Sequence, residues 1–503
     1  MSHTLPKIRV PVSLRRLLPN SSFVGCADVR VSAATADSRD CAAGMLFAAI
    51  SGQRSDGVRH VGEAVQRGAT ALLVERPLPG VSLPQCVVRN VRRAYAELCA
   101  ALYRCPSRHL GTVGVTGTNG KSTVCWLVRS ILQAAGRQTG LLGTIEYSDG
   151  FATSGSTLTT PDSRALSEWL SRMVERGTTH VALELSSHAL DQHRAAGTLL
   201  DAAVITNLTQ DHFDYHGDFD SYRASKQRIV DQVKPGGRVV LNADDPTVTG
   251  MDHYRETQDN VITYGLETPA DVSATIRRET GYESRFELSA GDERIEVCTR
   301  LIGRHNVSNC LAAAAAALQF GITLNEIATG IETLTCVPGR LESVDCGQPF
   351  SIRVDYAHTD DALRRSLRSL RALTPGRLLC IFGAGGDRDR SKRPLLGRAA
   401  READLAIVTS DNPRSEDPRQ IIADILGGFD ETSRQPHVEV DRTEAIRWAL
   451  DRAKPGDCVL IAGKGHETVQ IVGEQRIPFD DRSVVRDFLK RETSNREPLR
   501  ISA

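Results

Sequence analysis

The run Gly117-Thr118-Asn119-Gly120-Lys121-Ser122-Thr123 places small residues, a lysine and hydroxyls in the order that phosphate chemistry requires. Glycines let backbone N–H groups close around phosphate oxygens, and a helix beginning at the lysine aims its positive end at the same anion. In that arrangement Lys121 reaches the terminal phosphates and Ser122 binds Mg²⁺. The strict phosphate loop has a glycine five positions before Gly120, where this chain has Val115, so the motif needs a strand before it and a helix after it to count. Other residues say less one at a time. Glu184 alone is an ordinary surface carboxylate, and a lone histidine such as His212 is more often structural than a ligand. Lys226, near Arg223 and Arg228, reads as a solvated lysine on a helix. Thr159 and Thr160, before Pro161-Asp162, suit a helix N-cap. Gly383-Ala384-Gly385-Gly386 lacks the Gly-x-Gly-x-x-Gly spacing of a dinucleotide site.

The elements around these residues alternate short β-branched runs with helical patterns, which predicts an α/β fold with largely parallel sheets. With 503 residues the chain exceeds one ordinary core, and three domains are expected. The first, residues 1–110, is a small α/β domain with strands at Met45–Ile50 and Ala71–Glu75 and helices at Val61–Arg67 and Arg92–Arg104. The second, 111–336, opens with a strand at Gly111–Val115, the glycine loop and a helix over Lys121–Ala135. Strands follow at His180–Leu185, Ala202–Asn207 and Arg238–Asn242, then a polar alternating stretch, Val272–Leu301, that predicts a small antiparallel sheet. An alanine-rich helix over Asn306–Phe320 closes it. The third, 337–503, starts at the breaker pair Pro338-Gly339. It repeats a doubly wound, Rossmann-like pattern with strands at Ser351–Asp355, Arg377–Phe382, Asp404–Thr409 and Cys458–Ile461. The charged tail, Lys490–Ala503, is expected to fray.

Composition excludes several function classes. Lys+Arg and Asp+Glu both number 62, so there is no overall bias toward nucleic acid or an anionic membrane, and an anionic ligand must be met locally. The longest apolar run, Leu311–Leu318, is too short to span a bilayer. The start, MSHTLPKIRV, lacks the apolar stretch of a secretory signal, so the cytoplasm is expected. Twelve cysteines are scattered without a Cys-x-x-Cys pair, which argues against a zinc site or a disulfide framework.

Taken together, the segments resemble the Mur ligase superfamily. Gly-Thr-Asn-Gly-Lys-Ser/Thr is its signature, and agreement continues in order through Glu184-Leu185-Ser186-Ser187-His188, Thr206-Asn207-Leu208, Asp211-His212-Phe213-Asp214-Tyr215-His216-Gly217, Ser225-Lys226 and Gly303-Arg304-His305-Asn306. It extends to Pro338-Gly339-Arg340-Leu341-Glu342 and Asp355-Tyr356-Ala357-His358-Thr359. The Asp-Tyr-His-Gly segment and Ser186 to Arg194 look like the branch that adds the third amino acid of the cell-wall peptide. Asp411-Asn412-Pro413-Arg414 is similar to the motif with which diaminopimelate-adding members hold their amino acid; lysine-adding members lack its arginine. The chemistry agrees: meso-diaminopimelate has a second carboxylate, which a guanidinium grips through two parallel charge-assisted hydrogen bonds.

The resemblance implies an ATP-dependent ligase joining meso-diaminopimelate to UDP-N-acetylmuramoyl-L-alanyl-D-glutamate through an acyl phosphate, working as a monomer on small molecules, with neither nucleic acid nor membrane. It makes Glu184 and His212 Mg²⁺ ligands with Ser122, and Lys226 a carbamylated lysine holding a second Mg²⁺. Asn306, Arg340 and Asp355 become ATP contacts beside the loop residues, and Tyr356 and His358 lie near the transferring phosphate; Lys121, Lys226, His212 and His358 are thereby the catalytic set. Ser38, Gln53, Arg54 and Ser55 resemble the UDP-sugar site of the first domain. Thr159, Thr160, Ser186, Gln192 and Arg194 resemble contacts to the muramoyl dipeptide, and Arg388, Asp411, Asn412, Pro413, Arg414, Gly463 and Glu467 those to the incoming amino acid, with Glu467 holding an ammonium. One departure is Asp360, where the family often has proline. Among rivals, a folylpolyglutamate-type ligase usually has glycine between the loop lysine and serine, whereas Ser122 follows Lys121 directly. A ligase adding L-lysine would not need Arg414. A non-catalytic nucleotide-binding regulator would have lost some of Lys121, Glu184, His212 or Lys226, and a generic ATPase leaves Asp411 to Arg414 unexplained.

Overall fold

The computed structural model describes residues 11–52, 56–251, 260–430 and 434–496. Gln53, Arg54 and Ser55 therefore lie outside the described residues, as do 497–503.

Three sheets organise the chain, each with apolar clusters on both faces. The first joins Ser22–Val24, Gln85–Val87, Ala71–Val74, Leu46–Ala48 and Ala34–Thr35 in that spatial order, with only the Ser22–Val24 edge antiparallel. The central sheet has parallel strands in the order Thr139–Leu142, His180–Glu184, Gly111–Thr116, Leu200–Ile205, Val233–Asn242 and Val261–Gly265. The expected antiparallel strands, Val272–Glu279, Ser284–Ala290 and Glu293–Thr299, form no free-standing sheet. They continue the central one through a short parallel ladder, Tyr264 beside Val272 and Gly265 beside Ser273. The third sheet places Ser351–Asp355, Cys458–Ala462, Leu378–Phe382 and Leu405–Val408 side by side and parallel.

Register aligns the ends that matter. Glu184 lies opposite Val115, and Ile205 opposite Thr116, so the chain leaves three neighbouring strands on the carboxyl side, where α/β folds bind ligands. The helix Lys121–Ala134 buries Val124, Leu127, Val128 and Ile131, a three-and-four spacing that gives it one apolar face and fixes its N-terminus above the sheet. Behind it, Arg304–Leu318 buries Ala312 through Ala317 completely; a helix lined by alanine can sink close to its neighbours on every side.

One expectation is corrected in part at the C-terminus. The helix Asp481–Arg496 continues through 490–496 of the segment expected to fray, the rest of which lies outside the described residues, because Val485 is fully buried and Phe488 and Leu489 pack on the same cluster, anchoring the preceding turns. No helix among the described residues is long and apolar enough to cross a membrane.

Candidate active site

The strand Gly111–Thr116 delivers the chain into the loop Gly117–Gly120, and Lys121 begins the helix. Gly117 has φ +143°, and a Cβ there would lie 1.9 Å from Thr206 Oγ1, so no side chain fits. Thr206 Oγ1 in turn donates to Asn119 O at 2.6 Å, locking the loop to the next strand end. Lys121 Nζ donates to Gly117 O and Thr118 O, both at 2.9 Å, and Lys226 Nζ donates to Gly117 O at 2.7 Å. Two ammonium groups thus converge on one loop of carbonyls. Burial, followed by the neighbouring Lys121 charge, pushes Lys226 well below the usual lysine range, against the pull of Asp211. Burial lowers Lys121 as well, partly opposed by Glu184.

Glu184 stands at the adjacent strand end, 1 % exposed. Its carboxylate accepts from Ser122 Oγ at 3.1 Å, from Thr144 N at 3.0 Å and from Thr144 Oγ1 at 2.9 Å. Mg²⁺ takes oxygen donors and keeps several of them from water or phosphate, so a carboxylate and a hydroxyl this close fit it. His212 has φ +55° and lies with Nε2 3.3 Å from Asp211 Oδ2. Burial lowers its pKa to about 3, so the ring is neutral near pH 7 and retains a lone pair. Lys226 as an ammonium fits a cation poorly, since it adds positive charge beside Lys121.

Residues beyond Pro338 reach into this cleft of about 320 Å³. Arg340 Nη2 donates to Ser122 Oγ at 2.9 Å, with its guanidinium 4.8 Å from the Tyr356 ring. His358 sits 4.7 Å from the same ring, and its Nδ1 is 2.8 Å from Tyr356 O. Asp355 lines the cleft, but its oxygens accept from Leu341 N, Ala357 N and Ser366 Oγ, so it holds the third domain's entry loop. Asn306, expected as a nucleotide contact, also lines the cleft; Nδ2 donates to Ile302 O and Oδ1 accepts from Asn309. Asp360 occupies the first position of the helix Asp360–Leu373, after the Thr359 cap. Proline favours that same position, and an acidic side chain there suits the positive helix end, so the turn survives the departure.

On the opposite side, Thr159 Oγ1 lies 3.0 Å from Thr144 Oγ1, while Thr160 Oγ1 donates to Glu184 O at 2.7 Å and accepts from Ser186 N at 3.0 Å. Asp162, not either threonine, caps the following helix Ser163–Glu175. Arg194 donates to Thr160 O and to Gln192 Oε1, and Gln192 to Tyr215 OH. These five residues therefore form one polar wall leading away from the phosphate loop. Ser38 stands apart from this wall, in the first domain, and donates to Glu63 Oε2 at 2.7 Å.

The residues expected to receive the amino acid gather in a second polar cluster within the third domain. Arg414 Nη1 donates to Gly386 O at 2.7 Å, and Arg388 and Arg414 both pass beside Gly385. Burial, then the charge of Arg388, depresses Arg414, as two neighbouring cations must do to each other. Asn412 Nδ2 donates to Glu467 Oε2 at 2.8 Å, Pro413 packs against Gly386, and Asp411 Oδ2 fills the space beside Gly463. Tyr356 links this cluster to the phosphate cleft: its hydroxyl is raised to about 12 by burial and then by Glu467, while Arg340 stacks on its ring.

Several contributors escaped the sequence reading. Asp361 accepts from Asn119 Nδ2 at 3.0 Å and from Thr209 Oγ1 at 3.1 Å. Lys392 Nζ donates to Asp211 Oδ1 at 2.9 Å, across 181 positions of sequence. Thr144 and Lys464 were missed too. The only sequence signal for any of them is the Gly-Lys-Gly spacing around Lys464, which bends the chain tightly on both sides of a cation.

Comparison with known proteins matches residues 30–103 to the Mur ligase family, catalytic domain, 115–317 to the Mur ligase middle domain, and 339–465 to the Mur ligase, glutamate ligase domain. A protein of Geobacillus kaustophilus (strain HTA426), named UDP-N-acetylmuramoyl-L-alanyl-D-glutamate--2,6-diaminopimelate ligase, is 46 % identical over 464 residues, covering 90 % of this chain and 94 % of its own. One of the same name from Solibacter usitatus (strain Ellin6076) is 42 % identical over 477 residues, covering 94 % and 96 %. A solved structure of a ligase of that name superposes with a TM-score of 0.68 at 32 % identity, over 96 % of this chain and all of the other.

Proposed function

The chain belongs to the Mur ligase family, and from that membership and the two adjoining sites we infer that it joins meso-diaminopimelate to the D-glutamate of UDP-N-acetylmuramoyl-L-alanyl-D-glutamate, consuming ATP. A carboxylate is a poor acyl donor at neutral pH. Its oxygen therefore attacks the γ-phosphorus of ATP, the bond to the bridging oxygen breaks, and ADP leaves an acyl phosphate behind. The amine of the amino acid then attacks the acyl carbon, gives up a proton and expels phosphate.

Both steps crowd anionic oxygens, so fixed cations supply much of the rate. Lys121 and the backbone of Gly117 to Thr123 hold the terminal phosphates, and Arg340 approaches from the third domain beside Ser122. Asn306 and Asp355 shape the nucleotide side, and His358 stands near the phosphate in transfer. Ser122, Glu184, His212 and Lys226 as its carbamate would hold Mg²⁺, which when bound neutralises phosphate charge. A buried lysine of depressed pKa is uncharged often enough to add CO₂, and the resulting carbamate replaces a misplaced positive charge with a negative one. An intact mass lacking the extra carboxyl in CO₂-replete buffer would remove this part of the reading.

We assign Thr159, Thr160, Ser186, Gln192 and Arg194 to the muramoyl dipeptide, and Ser38 with Gln53, Arg54 and Ser55 to the UDP-sugar. Arg388, Asp411 to Arg414, Gly463 and Glu467 receive the amino acid. Domain limits of 1–110, 111–336 and 337–503, a monomer and a cytoplasmic location complete the proposal. The observation that supports it is Tyr356, whose ring carries Arg340 on the cleft side while its hydroxyl feels the charges of Glu467, Asp411 and Arg388 from the third domain. Phosphate release from ATP is the test, with the UDP-dipeptide present and with meso-diaminopimelate, L-lysine, L-ornithine or no amino acid. Release with a new amide only for diaminopimelate is expected. Turnover with L-lysine would retain the ligase and overturn the assignment of Arg414.

A further inference from the structure

Lys464 follows the strand Cys458–Ala462 and is completely buried, at 0 % exposure. A lysine ammonium has three hydrogens and needs three acceptors when water is excluded. It has them: Nζ donates to Asn412 Oδ1 at 3.0 Å, to Glu467 Oε2 at 3.0 Å and to Val469 O at 2.7 Å. Gly463, at φ +112°, and Gly465, at φ +54°, turn the chain sharply on either side. A Cβ at Gly463 would lie 2.5 Å from Asp411 Oδ2, and one at Gly465 2.7 Å from Tyr356 Cβ, so the loop wraps its lysine between the two sites.

What the ammonium touches is more specific than a core. Asn412 Oδ1 also accepts from Ile471 N at 3.0 Å, so that oxygen is spoken for twice and the amide must point Nδ2 at Glu467. Asn412 and Lys464 both donate to Glu467 Oε2, and among the described residues no hydrogen bond ends on Oε1. The segment that supplies Val469 and Ile471 also holds Arg414: Arg414 N donates to Ile471 O at 3.0 Å and Gly473 N to Arg414 O at 2.7 Å. Arg414 has φ +51°, a conformation unfavourable for a non-glycine residue that persists only where neighbours enforce it. One buried charge therefore fixes Glu467, the Asn412 amide and the segment that pins Arg414.

We propose that Lys464 is a positioning residue for the incoming amino acid, setting the Asn412 amide and the Glu467 carboxylate in the orientation that receives diaminopimelate. The proposal builds on the assignment of Glu467 to the incoming ammonium. Without Lys464, Asn412 Oδ1 and Glu467 Oε2 each lose their charged donor, so the amide is held on its oxygen by Ile471 N–H alone and the carboxylate by Asn412 Nδ2 alone, and the carboxylate is free to swing from the orientation that receives an ammonium.

The experiment uses the full-length enzyme and compares K464M, K464R, E467Q and the K464M/E467Q double variant, varying diaminopimelate and ATP separately and recording Tm for each. K464M should raise KM for diaminopimelate about tenfold or more while KM for ATP stays within about twofold. K464R keeps the charge but presents a wide planar fork to three acceptors arranged for a point donor. It should show the same selective rise, which covers the case that K464M does not fold. The double variant should be no worse than E467Q, because Lys464 acts through Glu467. The proposal is overturned if E467Q raises KM for diaminopimelate and the Lys464 variants do not. It is equally overturned if the two losses multiply, or if both KM values rise together with a fall in Tm. An E467Q variant with unchanged KM for diaminopimelate would instead remove the assignment of Glu467, and the proposal with it.

Discussion

The phosphate cleft and the acceptor pocket are built on opposite plans. In the cleft, backbone does most of the holding: Lys121 and Lys226 donate to loop carbonyls, and the groups that complete the site, Arg340, Lys392 and Asp361, cross over from the third domain. In the pocket, Asn412, Glu467 and Lys464 come from one domain and satisfy each other, with Arg414 of the same domain held on the Gly386 carbonyl. A site shared between domains acquires its charges on docking, and can couple chemistry to docking. A site held by its own network is preorganised and can discriminate at once.

If the division holds, the largest effect belongs to the cleft's single most direct charge. Lys121→Met should lower turnover about a thousandfold without changing Tm much, since the native ammonium is bound only to carbonyls that the loop could leave to water. A loss of under about tenfold would mean that Lys121 is not aimed at the phosphates. Next comes selectivity. Arg414→Ala should cost about 2–3 kcal/mol, or roughly a hundredfold, in kcat/KM for diaminopimelate, the usual worth of a charge-assisted bond to a carboxylate. KM for ATP should barely move. Equal losses for both substrates would erase the distinction between a docked site and a preorganised one.

The two regions also differed in how legible they were. The phosphate loop could be read because its chemistry is local: seven consecutive residues, a strand before and a helix after. Ser351–Asp355 was read to the residue, since Ile352 and Val354 alternate with polar neighbours at the two-residue period of a strand. Contacts made through tertiary docking left no such trace. Lys392 looks like one cation among many in Arg388-Asp389-Arg390-Ser391-Lys392-Arg393, and nothing local ties it to Asp211. The departure at Asp360 attracted notice, yet the neighbouring Asp361 is the residue that touches the phosphate loop. The C-terminal helix was missed because its charged last turns hide the apolar residues that anchor it earlier.

Lys392 offers a sharper probe of the shared plan. Asp211 Oδ1 accepts both from Lys392 Nζ and from the His212 backbone N–H, each at 2.9 Å, so the third domain supports His212 in its left-handed conformation through one oxygen. Burial works to raise the Asp211 carboxyl, and its charged and hydrogen-bonding neighbours, the Lys392 ammonium among them, outweigh it, holding it well below the usual range. Lys392→Met should reduce kcat about threefold to tenfold, with KM for diaminopimelate unchanged, because the ion pair is only partly exposed and so incompletely screened. A rise in KM for diaminopimelate, with kcat intact, would place Lys392 in the pocket instead.

The smallest expected effect is on pH, and its sign follows from two histidines at the domain junction. His305, on a central-domain helix, lies 3.1 Å from Ser369 of the third domain, and His466 contacts the Thr144 backbone from the third domain. Burial lowers each to about 4; Arg365 adds to this for His305 while Asp355 opposes it, and Arg340 and Arg482 add to it for His466. An unfolded histidine titrates near 6.5, so between that value and about 4 the unfolded chain binds more protons than the folded one. Stability from these groups is complete above about pH 6.5 and is lost progressively as pH falls toward 4. The depressed carboxylates Asp211 and Asp149 lose their contribution only below the ordinary aspartate value, which leaves the window between pH 6.5 and 5 to histidine. The folded protein should therefore melt a few degrees lower at pH 5 than at pH 7, and His466→Gln should narrow that difference. If the variant and the parent lose the same number of degrees, His466 is not titrating against the junction, and the docked cleft has no pH dependence from this source.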